Sequence, residues 1–307
     1  MITASVGVMA YNEEKNIGKL LEALVGQDLR DVEIREIFVV SSGSTDHTDE
    51  IVREWAERDD RIELIAQEGR EGKASAINLF LARADADVFV LESGDTIPAT
   101  DCIEKMLAPF SDPSVGMAGG RPMPVDDPDT FMGFVVHMLW RLHHMLALKS
   151  PKLGEMVAFR SIVRSIPPDT AVDEASIEAI VVREGRSLRY VPDAIVYNKG
   201  ASTVSDFLKQ RRRIYAGHLW LSEVQSYEVS TKKVGGIVSV LLEDLDPTPR
   251  NLVWTASGVF LEFVGRLLGV LDFRVFKKNP YTWEVSESTK SLERPTSTVA
   301  AREGDDA

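Results

Sequence analysis

Short apolar runs alternate with amphipathic stretches along the first third of the chain. ASVGVMA (4–10) is apolar throughout, and Tyr11-Asn12-Glu13-Glu14 then opens NIGKLLEALVG, where Ile17, Leu20, Leu21 and Leu24 recur at helical spacing. This predicts strand, short loop, helix. The unit repeats with EIFVV (36–40), the turn SSGSTDHT (41–48) and EIVREWAERDD, whose Ile51, Val52 and Trp55 share one face; Thr45 or Asp46 is placed to cap that helix. A third unit holds RIELIAQ (61–67), the loop EGREGK, a helix over 74–84 and the strand VFVL (88–91). Such alternation predicts an α/β fold with a mostly parallel sheet covered by helices on both faces. Ligands then gather beyond the carboxyl ends of the strands.

From about Pro109 the rhythm changes. GMAGGRP reads as strand or turn, 130–148 as a long helix, PPDTAVDEASIEAIVVREG as a loop running into a helix, LRYVPDAIVY as a strand, and 203–221 as a helix dense in cations. The expected organisation is a main domain over 1–221, a helical appendage over 222–284 and a disordered tail over 285–307, where Ser, Thr, Glu and Pro dominate. The apolar stretch 251–273 is long enough to span a bilayer, but Glu262 and Arg266 near its middle argue against it. Their spacing makes an i,i+4 pair on an amphipathic helix, which packs on the domain or lies at a bilayer surface through Trp254, Phe260 and Phe263.

Composition narrows the functional classes. With 307 residues and 44% hydrophobic content, the chain can bury one large core. A balance of 35 basic against 48 acidic residues, net −13, opposes general nucleic-acid binding, so any phosphate site must be local. The single cysteine, Cys102, excludes an internal disulfide framework, and MITASVGVMAYN lacks a basic region followed by an apolar export segment. The expected compartment is the cytoplasm, at the inner face of the cell membrane if the amphipathic helix lies on a bilayer.

Several motifs bear on chemistry. GxGxxG is absent, and EGREGKAS only imitates a P-loop, lacking the first glycine and carrying alanine after Lys73; Lys73 still stands as a phosphate contact. Asp85 and Asp87 precede VFVL and so fall at the sheet end away from the ligand crevice, as a solvated turn. The turn ESGDT (92–96) has two readings: a metal or ligand site built on Asp95, or a strand-to-helix turn capped by Asp95 or Thr96. His137, Arg141 and His144 share a helical face beside His143, which reads as the acceptor side of a site or, less well for want of a nearby carboxylate or cysteine, as metal ligands.

Taken in order, the segments resemble the inverting GT-A glycosyltransferases of family 2. SVGVMAYNEEKNIGKLLEAL is similar to the family's opening strand and PAYNEE-type loop, VVSSGSTDHT to its VVDDGSTDGT turn, GKASAIN to GKxxAxN, and VLESGDTIP to its strand-borne DxD. VDEASIE is similar to ED-x-x-L, and QRRRI to the QxxRW of members that use polymeric or lipid-linked acceptors. The resemblance covers residues 4–220. It implies a GT-A fold and transfer of a sugar from a UDP- or GDP-sugar, with Mg²⁺ or Mn²⁺ neutralising the leaving diphosphate and a carboxylate taking the acceptor proton. Mapped on this chain, it implies donor contacts at Ala10, Tyr11, Asn12, Glu13, Ser41, Ser42, Lys73, Ser93, Gln210, Arg211, Arg212 and Arg213, a metal contact at Asp95, and Glu174 as general base beside Asp173.

The chain also departs from that pattern. Ser93 stands where the first DxD aspartate is usual, with Glu92 expected to compensate by rotating in; Ser41 and Ser42 replace aspartates, the first of which binds uracil. Ile214 replaces a tryptophan, which sets processive synthesis in doubt. Two rivals follow: a catalytically weakened sugar-nucleotide-binding protein, and a nucleotidyltransferase, which would release pyrophosphate.

Overall fold

The computed structural model describes residues 1–227, 234–277 and Leu292. Strands β1 (Ile2–Ala10), β2 (Val32–Ser42), β3 (Ile62–Gln67) and β4 (Val88–Ser93) lie parallel in the order β3-β2-β1-β4. Helices α1 (Ile17–Val25), α2 (Thr48–Ala56) and α3 (Lys73–Arg83) form the crossovers. Strand β1 is buried almost throughout because helices cover both faces, which accounts for its unbroken apolar run. The predicted stripe of α1 is fully buried, each Ile or Leu contributing about 1.5–3 kcal/mol. On the opposite face Phe38, Phe80, Phe89 and Phe159 form a ladder with ring centroids 5.7–6.1 Å apart. Gly7 makes room for it, since a Cβ there would lie 2.6 Å from the Phe80 ring.

The second half of the sheet is mixed. β7 (Val157–Arg160) inserts antiparallel between β4 and β6 (Val115–Pro124), β8 (Ser187–Asn198) runs parallel to β6, and β5 (Thr96–Pro98) edges β8 antiparallel. Among the described residues this gives one eight-stranded sheet, β3-β2-β1-β4-β7-β6-β8-β5. The capped-helix reading of the 92–96 turn is thereby corrected: Thr96 begins a strand, and the next helix, α4 (Cys102–Leu107), starts later. Asp87 does lie at the far end of the sheet, where its carboxylate accepts from the Thr3 backbone N–H (3.1 Å) and hydroxyl (2.7 Å).

Helices α5 (Phe131–Lys149), α6 (Asp173–Arg183), α7 (Val204–Val224), α8 (Val234–Glu243) and α9 (Pro249–Val270) complete the described chain, with a π-helical turn at Leu271–Val275. α9 packs through glycines: Gly258 against Val135 and Met138, Gly265 against Arg211, and Gly269 against Arg212 and Tyr215. The Glu262–Arg266 pair forms as spaced (2.8 Å). Trp254 is folded inward against Phe131 and Phe134, whereas Phe260 and Phe263 are exposed. Among the described residues no helix is long and apolar enough to cross a membrane. The tail expected from 285 lies outside the described residues except for Leu292, which is buried beside Ala23 and Ile97 and accepts from Lys19 Nζ (2.6 Å).

Candidate active site

The loops that follow β1 and β2 are laced together. Asn12 takes a left-handed conformation (φ 52°), which asparagine tolerates, and its Oδ1 accepts from the Thr45 N–H (2.8 Å) while its own N–H donates to Ser44 Oγ (3.1 Å). Asp46 accepts from the Thr48 N–H (3.0 Å) at the start of α2 and from the Glu14 N–H (3.1 Å), so one carboxylate ties both loops. Ala10 and Ser41 are buried neighbours across β1 and β2, and Ser41 Oγ donates to Ser44 Oγ (2.9 Å). Ser42 Oγ is buried without a hydrogen-bond partner among the described residues. Tyr11 lies under the Arg70 guanidinium, 4.4 Å from ring centroid to Cζ, a flat surface of the kind a nucleobase stacks on.

The turn after β4 sits against the first loop. Glu13 is buried and accepts from the Asn16 amide (3.0 Å), and its side chain runs so close to Gly94 that a Cβ there would lie 2.8 Å from Glu13 Cγ. Glu92 does not rotate toward the crevice. It is fully buried and hydrogen-bonded to the Thr96 hydroxyl, and burial pushes its carboxyl up to about 8, with Glu155 and Asp95 adding to the effect. Ser93, half-buried, pairs with Met9 of β1, and Asp95 follows at the open end of the turn.

Helices α3, α6 and α7 bring the charged groups together. Lys73, the first residue of α3, reaches Asp173 (2.7 Å) and Glu174 (3.1 Å), the first two residues of α6. Burial opposes the Lys73 charge, yet the two carboxylates outweigh it and hold the ammonium above its ordinary value. Asp173 is raised by burial and by Glu174; Glu174, despite burial, is held low by Lys73 and by backbone donors at the helix start. Glu174 is therefore the member of the pair that ionises first as the pH rises. Arg213 is lowered to about 10 by burial, against the opposing pull of Asp173, Glu174, Asp95 and Glu155.

Of the three arginines, only Arg213 faces this cluster. Arg211 donates to Glu262 (2.6 and 3.2 Å) and Arg212 to Asp272, so both are engaged by α9 and the turn after it, and neither is turned to the crevice. The resemblance implied donor contacts at Arg211 and Arg212, whereas here both guanidinium groups are paired with carboxylates of α9 and the turn after it. Gln210 is half-buried on the same helix. The histidines of α5 separate too: His137 Nε2 meets the Asp126 carbonyl (2.8 Å), Arg141 pairs with Asp244 (3.0 Å), His144 Nδ1 meets the Tyr190 hydroxyl (2.8 Å), and burial pushes His143 down to about 3.

Glu155 and its partner Asn198 in the crevice escaped the sequence reading. Glu155, just before β7, is pushed up to about 7 by burial and by Asp95 and Glu174, with Lys73 and an amide hydrogen bond from Asn198 opposing. Its only sequence signal is a carboxylate following Gly154 at the foot of an apolar strand. Among the described residues no three Asp, Glu, His or Cys side chains form a metal cage by themselves. The donor set suits a hard divalent cation completed by diphosphate oxygens: Asp95 offers carboxylate oxygen, and the buried Asn198 Oδ1 has no hydrogen-bond partner among the described residues.

Residues 5–166, from β1 to the loop before α6, match the model of the family described as Glycosyl transferase family 2. The chain belongs to that family. Glycosyltransferase AglE of Haloferax volcanii is 29% identical over 117 residues, covering 38% of this chain and 38% of AglE. The aligned part is thus well under half of that curated relative. A mannosyltransferase structure, PcManGT of Pyrobaculum calidifontis in complex with GDP-Man and Mn²⁺, superposes with TM-score 0.57 at 22% identity, over 91% of this chain and 81% of the other. Glucosyl-3-phosphoglycerate synthase of Mycobacterium tuberculosis, in complex with Mn²⁺, UDP and glucosyl-3-phosphoglycerate, gives 0.51 at 17% identity, over 75% and 82%. At these identities the two neighbours establish the fold alone, the α/β GT-A fold that the resemblance implied.

Proposed function

We propose that this family 2 chain transfers a sugar, with inversion, from a UDP- or GDP-sugar to an acceptor hydroxyl. What carries the reading is the meeting of Lys73, Asp173, Glu174, Arg213 and Asp95 beyond the carboxyl ends of the parallel strands, where an α/β sheet binds its ligands. The GDP-Man, UDP and Mn²⁺ carried by the two structural neighbours support a nucleoside-diphosphate donor and a divalent ion, Mg²⁺ or Mn²⁺. Bound at Asp95, the ion would neutralise charge on the departing diphosphate.

The chain's own residues supply the rest. Tyr11 under Arg70 offers the base a stacking surface, with Ser41 and Ser42 as single hydrogen-bonding groups where the family has aspartates. Arg213 and Lys73 place positive charge where the leaving group develops negative charge. Glu174, ionised and close to Lys73, takes the acceptor proton, and Asp173 positions Lys73 beside it. Ser93, Ser41 and Ser42 favour one second reading, a binding protein without turnover. Incubation with UDP- and GDP-sugars and Mn²⁺ decides: release of nucleoside diphosphate, lost in Asp95→Asn, supports transfer; binding without release supports the second reading; pyrophosphate release would make the chain a nucleotidyltransferase.

The acceptor is proposed to be lipid-linked or a polysaccharide, met at the cytoplasmic face of a membrane. Phe260 and Phe263, each more than 60% exposed on α9, support surface attachment. Flotation with anionic liposomes tests it: the parent should float and Phe260→Ser/Phe263→Ser should not, while a parent that stays behind at every lipid charge would end the proposal.

A further inference from the structure

We propose that Glu155 supplies the carboxylate that position 93 lacks, so that the donor-site cation is gripped from two strands, by Asp95 beyond β4 and Glu155 before β7. The inference rests on the metal-assisted reading above. Strands β4 and β7 are antiparallel, pairing Val88 with Arg160 and Leu91 with Val157. Carrying that register two residues further sets Glu155 opposite Ser93. A serine hydroxyl is too short to replace a carboxylate, but a glutamate from the adjoining strand has the extra reach.

The backbone at Glu155 is unusual in the same sense. Its φ of 59° lies in the left-handed region, which a residue with a side chain adopts at a cost and which persists where surrounding structure holds it. Glycine would be the undemanding choice there, and Gly154 stands next to it. Around Glu155 the oxygen donors are left incomplete. Asn198, 5% exposed at the end of β8, gives its amide to Glu155, while its Oδ1 has no hydrogen-bond partner among the described residues. Buried oxygens without donors are costly, and a cation relieves them. Arg213 and Lys73 lie close enough to feel the Glu155 charge, but both already face Asp173 and Glu174.

Calorimetric titration of Mn²⁺ into the full chain with saturating UDP, and separately with GDP, tests this without reference to turnover. Asp95→Asn should abolish binding. Glu155→Gln should weaken it about tenfold or more, as should Glu155→Gly, which removes the carboxylate while relieving the backbone. Adding Ser93→Asp to Glu155→Gln should restore it. If both Glu155 variants bind Mn²⁺ as tightly as the parent while Asp95→Asn does not bind, Glu155 is no ligand and the metal reading stands. If Asp95→Asn also binds normally, the metal reading itself falls. A double variant that stays as weak as Glu155→Gln would overturn the equivalence of positions 93 and 155.

Discussion

Helix α7 meets carboxylates in two places, and the two are built on opposite principles. Along its seam with α9 every carboxylate has a cation: Glu262 is shared by Arg211 and Arg266, and Asp272 takes Arg212. In the crevice, carboxylates outnumber cations. Lys73 and Arg213 answer to Asp95, Glu155, Asp173 and Glu174, with Glu92 buried beneath. Successive helical residues point about 100° apart, so three consecutive arginines divide between the two settings. The difference teaches that an excess of carboxylates over cations, more than charge density, marks the place where a cationic ligand belongs.

The contrast is broken most forcefully at Lys73. Lys73→Met leaves Asp173 and Glu174 together without their cation, and loss of one partner of a buried pair is expected to cost about 3 kcal/mol or more in denaturant unfolding. Adding Asp173→Asn should recover part of that loss. Glu174→Gln keeps the shape and removes the proton acceptor: turnover should fall roughly a hundredfold or more with donor binding retained. An active Glu174→Gln beside an inactive Asp173→Asn would move the base to Asp173.

Single alanine replacements sharpen the comparison. Arg213→Ala is expected to lower turnover on the order of a hundredfold, as removal of a charge-stabilising donor does. Arg211→Ala and Arg212→Ala, whose pairs are partly exposed, should instead lower stability by about 1 kcal/mol or less. Three equal losses would erase the distinction. The last effect is a slope. Below pH 4.5 Glu92 is protonated folded or unfolded; between 4.5 and about 8 only the folded state keeps the proton, so its contribution to stability declines across that window and levels off above it. Glu92→Gln should flatten that part of a plot of unfolding midpoint against pH.

Much of this was legible in the sequence because much of it is local. The αβ alternation, the stripe of α1 and the opening of α6 at Asp173 follow from period and helix-start chemistry within a few residues. The partners of Arg211 and Arg212 lie 51 and 60 residues away, and helical periodicity separates the three arginines without saying which goes where. β5 is three residues long and exists only because β8 returns beside it. Glu155 was hidden for the same reason: the antiparallel insertion of β7 carries it to the end of β4, and nothing in GEMVAFR announces that journey.

Helix α9 wears its side chains inside out. Its glycines face the protein and its phenylalanines face away, so beyond the apolar anchors Trp254 and Leu261 it is fastened by closeness of backbone and by ion pairs. A methyl group added at Gly265 or Gly269 would pry it loose, whereas Phe260 and Phe263 can be rewritten freely without loosening the grip. The outer surface of this helix can therefore change while the packing underneath stays untouched.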